Sequence, residues 1–388
     1  MITAITGLRR TVPALLGSRH WPLLISLAFL ALLGLLAGIT RLVLGLGATT
    51  GLSDAYPWGL WIGFDFLLIA LSGAGFTMAA AGHILHIRSL QEAVRPAILT
   101  GLMGYVSVLL LLVLDLGRPD RFYHFILFWN VHSPLFEISW CVLLYTTVLL
   151  IETGPYACER LGWTRPVRWF LRLLTPITVI GVTLSTLHQS TLGTLYLNMP
   201  HRLHPLWYTP LLPLLFYGSS ILAGLSVSLL SYRAAVRVAG RREAPEVVAG
   251  LMRGMAIVGG LYLALRVGEV VVAGKWPLLR PDQAMARLWW LEVGLGGIVP
   301  WLLVVRPRWR QRPSLTWLVP LLLILGIGAN RFNATWFAQT PPQGGNYWPH
   351  PLEWFSTLGI LAGAALAWYL GIRLLVIFES KAERLAHS

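Results

Sequence analysis

The chain has 388 residues, 56% of them hydrophobic and only 12% charged, with a formal net charge of +14. A soluble protein carries about a quarter charged residues, so this composition excludes a water-soluble enzyme domain. The positive charge does not indicate a nucleic-acid partner, because Lys and Arg fall mostly in short stretches between apolar runs, where topology signals lie.

Apolar runs of about 18 or more residues recur along the sequence. They predict an all-α integral membrane protein, one polytopic domain over residues 1–388. Its ten helices fall near 22–46, 58–86, 96–115, 134–152, 168–191, 209–235, 248–272, 285–305, 314–331 and 354–378. The first apolar stretch is too long for a cleavable signal peptide. Lys and Arg are far denser in the N-terminal segment and in every second loop after it than in the alternate loops, which predicts that both termini are cytoplasmic. Pro and Gly punctuate the connections ("GRPD", "TPPQGGNYWPHP"), and Trp residues near the span ends suit an interfacial belt.

Burying an ionisable side chain in a bilayer costs about 2.5–3.5 kcal/mol or more, so each such residue is a functional candidate. In sequence order, Asp65 sits in the second helix about 10 Å from its outer end at 1.5 Å per residue. His83 and His86 lie near the opposite end of that helix. Asp115 closes the third helix ahead of "LGRPDR", where pairing with Arg118 is the structural alternative to function. The fourth helix opens on "NVHSPLFEISWCVLLY", with His132 just outside and Glu137 about one turn in; Cys141 and Tyr145 share its face. Glu152 is expected at a water-accessible cytoplasmic edge and Cys158 in a loop.

The fifth helix carries a polar thread, Thr175, Thr178, Thr183, Ser185 and Thr186, before His188 near its outer end. These hydroxyls suit either a water path or ordinary interhelical bonding. Arg266 and Glu269, three apart, either neutralise one another or face a ligand. Glu292 lies in the outer half of the eighth helix and Arg331 ends the ninth. Nearly all of these residues crowd the outer half, which predicts a polar pocket opening toward that side. His83 and His86 stand almost a bilayer away from His188, which argues against bis-histidine haem. Two cysteines with no CxxC motif leave no iron–sulfur or other metal set in the sequence.

The stretches "RLVLGLG", "YPWGLWIGFD", "VRPAILTGLMGY", "LDLGRPDRFYH", "LSTLHQSTLG", "LRVGEVV", "LWWLEV" and "GGNYWPHPLEW" occur in the order seen in the NrfD/PsrC membrane-anchor family. Within it the protein resembles HybB-like "cytochrome b" subunits of nickel–iron hydrogenases and the DsrP-like subunits of sulfur metabolism. The resemblance covers about residues 40–375. It implies two four-helix bundles plus flanking helices in the bacterial inner membrane. It also implies a haem-free subunit, not catalytic alone, that binds menaquinone or ubiquinone near the outer face. Electrons would be exchanged with a periplasmic ferredoxin-like iron–sulfur subunit of a hydrogenase or sulfur-metabolism complex, with proton transfer coupled to the exchange. By motif, the quinone-side or proton-transfer residues are Asp65, Glu137, His188, Arg266, Glu269 and Glu292, with Asp115, Arg118 and His132 in support. Glu353 and Trp354 stand in reversed order relative to the family's pattern, so no role is carried over to Glu353. A structural anchor and a secondary transporter are the readings from other classes. The transporter is disfavoured because no pair of Gly/Pro-broken half-helices lies at mid-membrane.

Overall fold

A computed structural model describes residues 20–340, 346–375, 377 and 378. Both termini and their charges lie outside them. Among the described residues, ten helices are long and apolar enough to cross a membrane: α1 (Trp21–Leu44), α2 (Leu60–Ile84), α3 (Arg88–Asp115), α4 (Pro134–Leu161), α5 (Thr164–Leu197), α6 (Leu212–Val238), α7 (Pro245–Val272), α8 (Ala284–Val305), α9 (Leu315–Phe337) and α10 (Pro351–Leu374). All ten expected helices are present in order.

Proline marks several starts, as at Pro134, Pro245 and Pro351, where its missing N–H would be unpaired in any case. Glycines at positive φ, Gly162, Gly240 and Gly274, stop α4, α6 and α7 in the left-handed conformation that other residues resist. Four helices, α3, α4, α5 and α9, run clearly longer than expected. α4 runs on through Pro155 to Leu161, so Cys158 is helical and buried, and Glu152 is enclosed at 2% exposure instead of reaching water.

α2 to α5 form one bundle and α6 to α9 a second, with α6 packed against α2 and α3 as well as its own partners. α1 and α10 pair closely and lean on α3. Small residues permit the approach between bundles: a Cβ on Gly224 would stand 2.6 Å from the Gly73 carbonyl group. The segments after α1, α3, α5, α7 and α9 gather at one end, which we term the site end. They are joined there by Arg202 to Ala55 O, Thr340 N to Arg202 O and Lys275 Nζ to Tyr208 O. The opposite, arginine-rich end is tied by Arg95–Glu159 and Arg233–Glu243.

Candidate functional site

The first bundle builds a buried polar cluster, referred to below as the His188 pocket, from its four helices. Gln189 Nε2 donates to Ile69 O at 2.7 Å, which sets α5 in register against α2. His188 therefore sits at this level with its ring fully enclosed, and Asp65 one turn nearer the site end at 3% exposure. Tyr105 of α3 meets His188 Nδ1 at 2.9 Å and stacks edge-on against Tyr145 of α4, ring centroids 4.8 Å apart. Asp65 is among the charges that act on the Tyr105 hydroxyl. His188 Nε2, Asp65 Oδ1 and Gln189 Oε1 are enclosed without a hydrogen-bond partner. A buried polar group left bare costs about 1–3 kcal/mol, so three in one cluster mark a place where something polar is received.

Glu137 stands half-buried at the rim of this pocket and accepts from Thr191 Oγ1 at 2.7 Å, one turn beyond His188. A carboxylate from α4 thus joins the helix face that carries the histidine. His132 is exposed in the preceding loop. Arg118 does not pair with Asp115. It turns into solvent and binds Asp120 with two hydrogen bonds of 2.8 and 2.9 Å, and that bonding holds the Asp120 carboxyl down at about 2. The two are neighbours in an exposed loop, whereas Asp115 points into the protein.

Asp115 instead faces a set the sequence did not reveal. Arg41 of α1, 2% exposed, donates to Leu116 O, and Arg41 and Asp115 act on one another electrostatically. Glu353 at the start of α10 is fully buried and accepts from Gly51 N at 2.8 Å, His350 N at 3.0 Å and the Tyr347 hydroxyl. Burial first, then the bond to Glu353, keeps the Tyr347 hydroxyl above its ordinary range, so it remains a donor. The reversed Glu353–Trp354 order is thus what caps α10: Glu353 completes a capping box with His350. Arg41 was hidden because it reads as one of many flanking arginines.

Arg266, Glu269 and Glu292 lie in the second bundle. Glu292 accepts from Trp207 Nε1 at 2.6 Å and from Asn330 and Asn333 Nδ2, both at 2.8 Å, with Arg266 3.6 Å away. Glu269 pairs with Arg266 at 3.8 Å and with Lys275. Arg331, fully buried, binds Asn330 Oδ1 at 2.6 Å and Ser219 Oγ at 2.8 Å, and lies over the Phe216 ring. The hydrogen bonds of this group share no residue with those of the His188 pocket. The six sequence candidates therefore divide into two sets: His188 and Asp65 keep bare atoms in the first, and Arg266 and Glu269 do so in the second, around a Glu292 carboxylate that is saturated.

A third feature lies toward the arginine-rich end. His83, in a π-helical turn at Ala80–Ile84, contacts Thr178 Oγ1 at 3.2 Å, and Thr178 donates to Glu152 at 2.8 Å. The Thr178 hydroxyl has one proton, committed to Glu152, so His83 Nδ1 must be the donor to it. His83 also lines a cavity of about 200 Å³ with Gln91, Glu92, Arg95 and Arg241. π-turns recur at functional positions; two others carry Glu292 and Asn333.

Comparison with known proteins agrees with this architecture. Residues 48–334 match the family model described as polysulphide reductase, NrfD. The "Menaquinone reductase, integral membrane subunit" of Nitratidesulfovibrio vulgaris is 30% identical, and the match covers 90% of each protein. The "Probable Ni/Fe-hydrogenase 2 b-type cytochrome subunit" of Escherichia coli is 29% identical over 87% of this protein and 88% of that one. The "Hdr-like menaquinol oxidoreductase integral membrane subunit" of Archaeoglobus fulgidus is 23% identical over 94% of this protein and 95% of its own length. With ten membrane-crossing helices and a family match over most of its length, the chain is a multi-pass integral membrane protein belonging to the polysulphide reductase NrfD family.

Proposed function

We propose that the protein is the quinone-reactive membrane subunit of a respiratory oxidoreductase complex. It would pass electrons between the quinone pool and an iron–sulfur partner docked at the site end, the periplasmic side in this reading. The observation that carries this is the enclosed His188, whose Nε2 is bare, with the bare Oδ1 of Asp65 one helical turn nearer the site end and the Glu137 carboxylate bonded one turn beyond the histidine. The names of two relatives, a menaquinone reductase subunit and a hydrogenase subunit, support a quinone-linked role with a separate catalytic partner.

Reduction of a quinone takes up two electrons and two protons. His188 and Asp65 offer hydrogen-bonding atoms from two helices to a head group. Tyr105 holds the imidazole through Nδ1, leaving Nε2 directed at the ligand. Glu137, which accepts from Thr191, would relay protons between the pocket and the water at the site end. The test is binding of a fluorescent hydroxyquinoline N-oxide to the intact complex purified through a tag on this subunit. Saturable quenching displaced by menaquinone is expected, and absence of any displaceable binding would overturn the assignment.

The His83–Thr178–Glu152 series supports proton uptake from the arginine-rich end. With Glu152→Gln, quinone-linked turnover in proteoliposomes is expected to continue while proton uptake from that side is lost. A pH dye confined to that side reads the difference; unchanged uptake would rule out the route.

A further inference from the structure

An apolar groove of about 420 Å³ runs between α1, α3 and α10, with Gly34, Gly38, Leu42, Leu110, Leu114 and Gly363 among its walls. The glycines make it deep, and exposed Leu35, Ile39 and Leu42 leave it open to the bilayer along α1. Two of its lining residues, Leu42 and Leu114, are the chain neighbours of the buried Arg41 and Asp115. Arg41 Nε and Asp115 Oδ1 are both enclosed there without a hydrogen-bond partner, though the two side chains lie within electrostatic reach. Asp115 in turn acts on Asp65, the wall of the His188 pocket.

Resting on the quinone reading above, we propose that this groove seats the isoprenoid tail of the quinone, with Arg41 and Asp115 as the polar collar where tail gives way to head. The alternative occupant is a phospholipid acyl tail, whose phosphate would lie at the same collar. Charge decides between them. The one arginine there is faced by Asp115, which itself interacts with Asp65 and Glu353; this acidic surrounding disfavours a phosphate and suits a neutral head group. An Arg Nε–H left bare matches a carbonyl oxygen, and the volume lies in the usual range for a small-molecule site, roughly 300–1,000 Å³. The mostly lipid-facing α1, whose Arg41 lies in "RLVLGLG", thereby acquires a role in ligand binding.

Gly38→Leu and Gly363→Leu fill the groove with little disturbance of the helices. A Cβ at Gly38 meets only Leu114 side-chain atoms at 3.5 and 3.9 Å, and one at Gly363 only Ala31 Cβ at 3.8 Å. In the intact complex each variant is expected to raise KM for tetraprenyl menaquinone by about tenfold or more, with KM for tail-less menadione unchanged. An equal effect on both quinones, or no effect on either, overturns the tail assignment. A menaquinone carrying a photoreactive group on its tail should label α1, α3 or α10 in the wild-type complex, which needs no variant. Protection by tetraprenyl menaquinone supports the proposal; protection by phosphatidylglycerol instead assigns the groove to phospholipid and overturns it. Wild-type complex that turns over neither quinone defeats the quinone reading itself, an outcome distinct from a failure of the tail site alone.

Discussion

Replacement of His188 by alanine is expected to lower quinone-linked turnover of the intact complex by about 10²–10⁴-fold, the range for loss of a positioned proton-transfer group. The protein should still insert and assemble. His188 makes one described hydrogen bond, to Tyr105, and its Nε2 supports nothing in the protein. Removing it therefore frees a single tyrosine hydroxyl in a pocket that already tolerates bare polar atoms. Tyr105→Phe separates positioning from chemistry. It leaves the imidazole in place but without its orienting partner, so a smaller loss is expected, with a displaced pH profile. Turnover of His188→Ala at the wild-type rate, in complex shown to be assembled by size-exclusion chromatography, would remove the histidine from the mechanism.

Glu292→Ala should act in the opposite way, through stability. Its carboxylate takes hydrogen bonds from Trp207, Asn330 and Asn333 and lies 3.6 Å from Arg266. Truncation leaves three donors without their acceptor and the buried Arg266 with Glu269 as its remaining carboxylate, and breaking a buried ion pair by removing one partner costs about 3–5 kcal/mol. Glu292→Gln does not rescue this, because its amide N–H groups would face donors. Thermal unfolding of the solubilised protein should show a large drop for both variants, with turnover per folded complex little changed. A variant that keeps wild-type stability and loses turnover would move Glu292 into the quinone chemistry. The reason for expecting stability is geometric. Trp207 to Glu292 and Lys275 to Glu269 fasten two site-end loops onto the second bundle, the surface on which a redox partner would dock.

Hydropathy made the ten helices legible, because a bilayer demands an unbroken apolar stretch and every backbone group satisfied within it. It failed at the end of α4, where Glu152 and Pro155 suggest an edge. Thr178 of α5 satisfies the carboxylate from a neighbouring helix, so α4 continues. Buried charge against an apolar background also made Asp65, Glu137, His188, Arg266, Glu269 and Glu292 visible as candidates. Their one-dimensional clustering at one end did not reveal that they belong to two separate groups, since both bundles present their polar residues at the same depth.

By itself, then, the sequence determined the class of molecule, the number and order of its helices and the residues too costly to bury without cause. Those follow from transfer free energy, a property of each segment alone. Only the tertiary structure decided which of those residues are satisfied and which are left open. Arg118 finds Asp120 in solvent, Glu353 finds three donors, and Glu292 is saturated, while His188, Asp65, Arg266 and Glu269 keep bare atoms. Hydrogen-bond satisfaction depends on partners from distant helices meeting within about 3 Å, and that information resides in the packing.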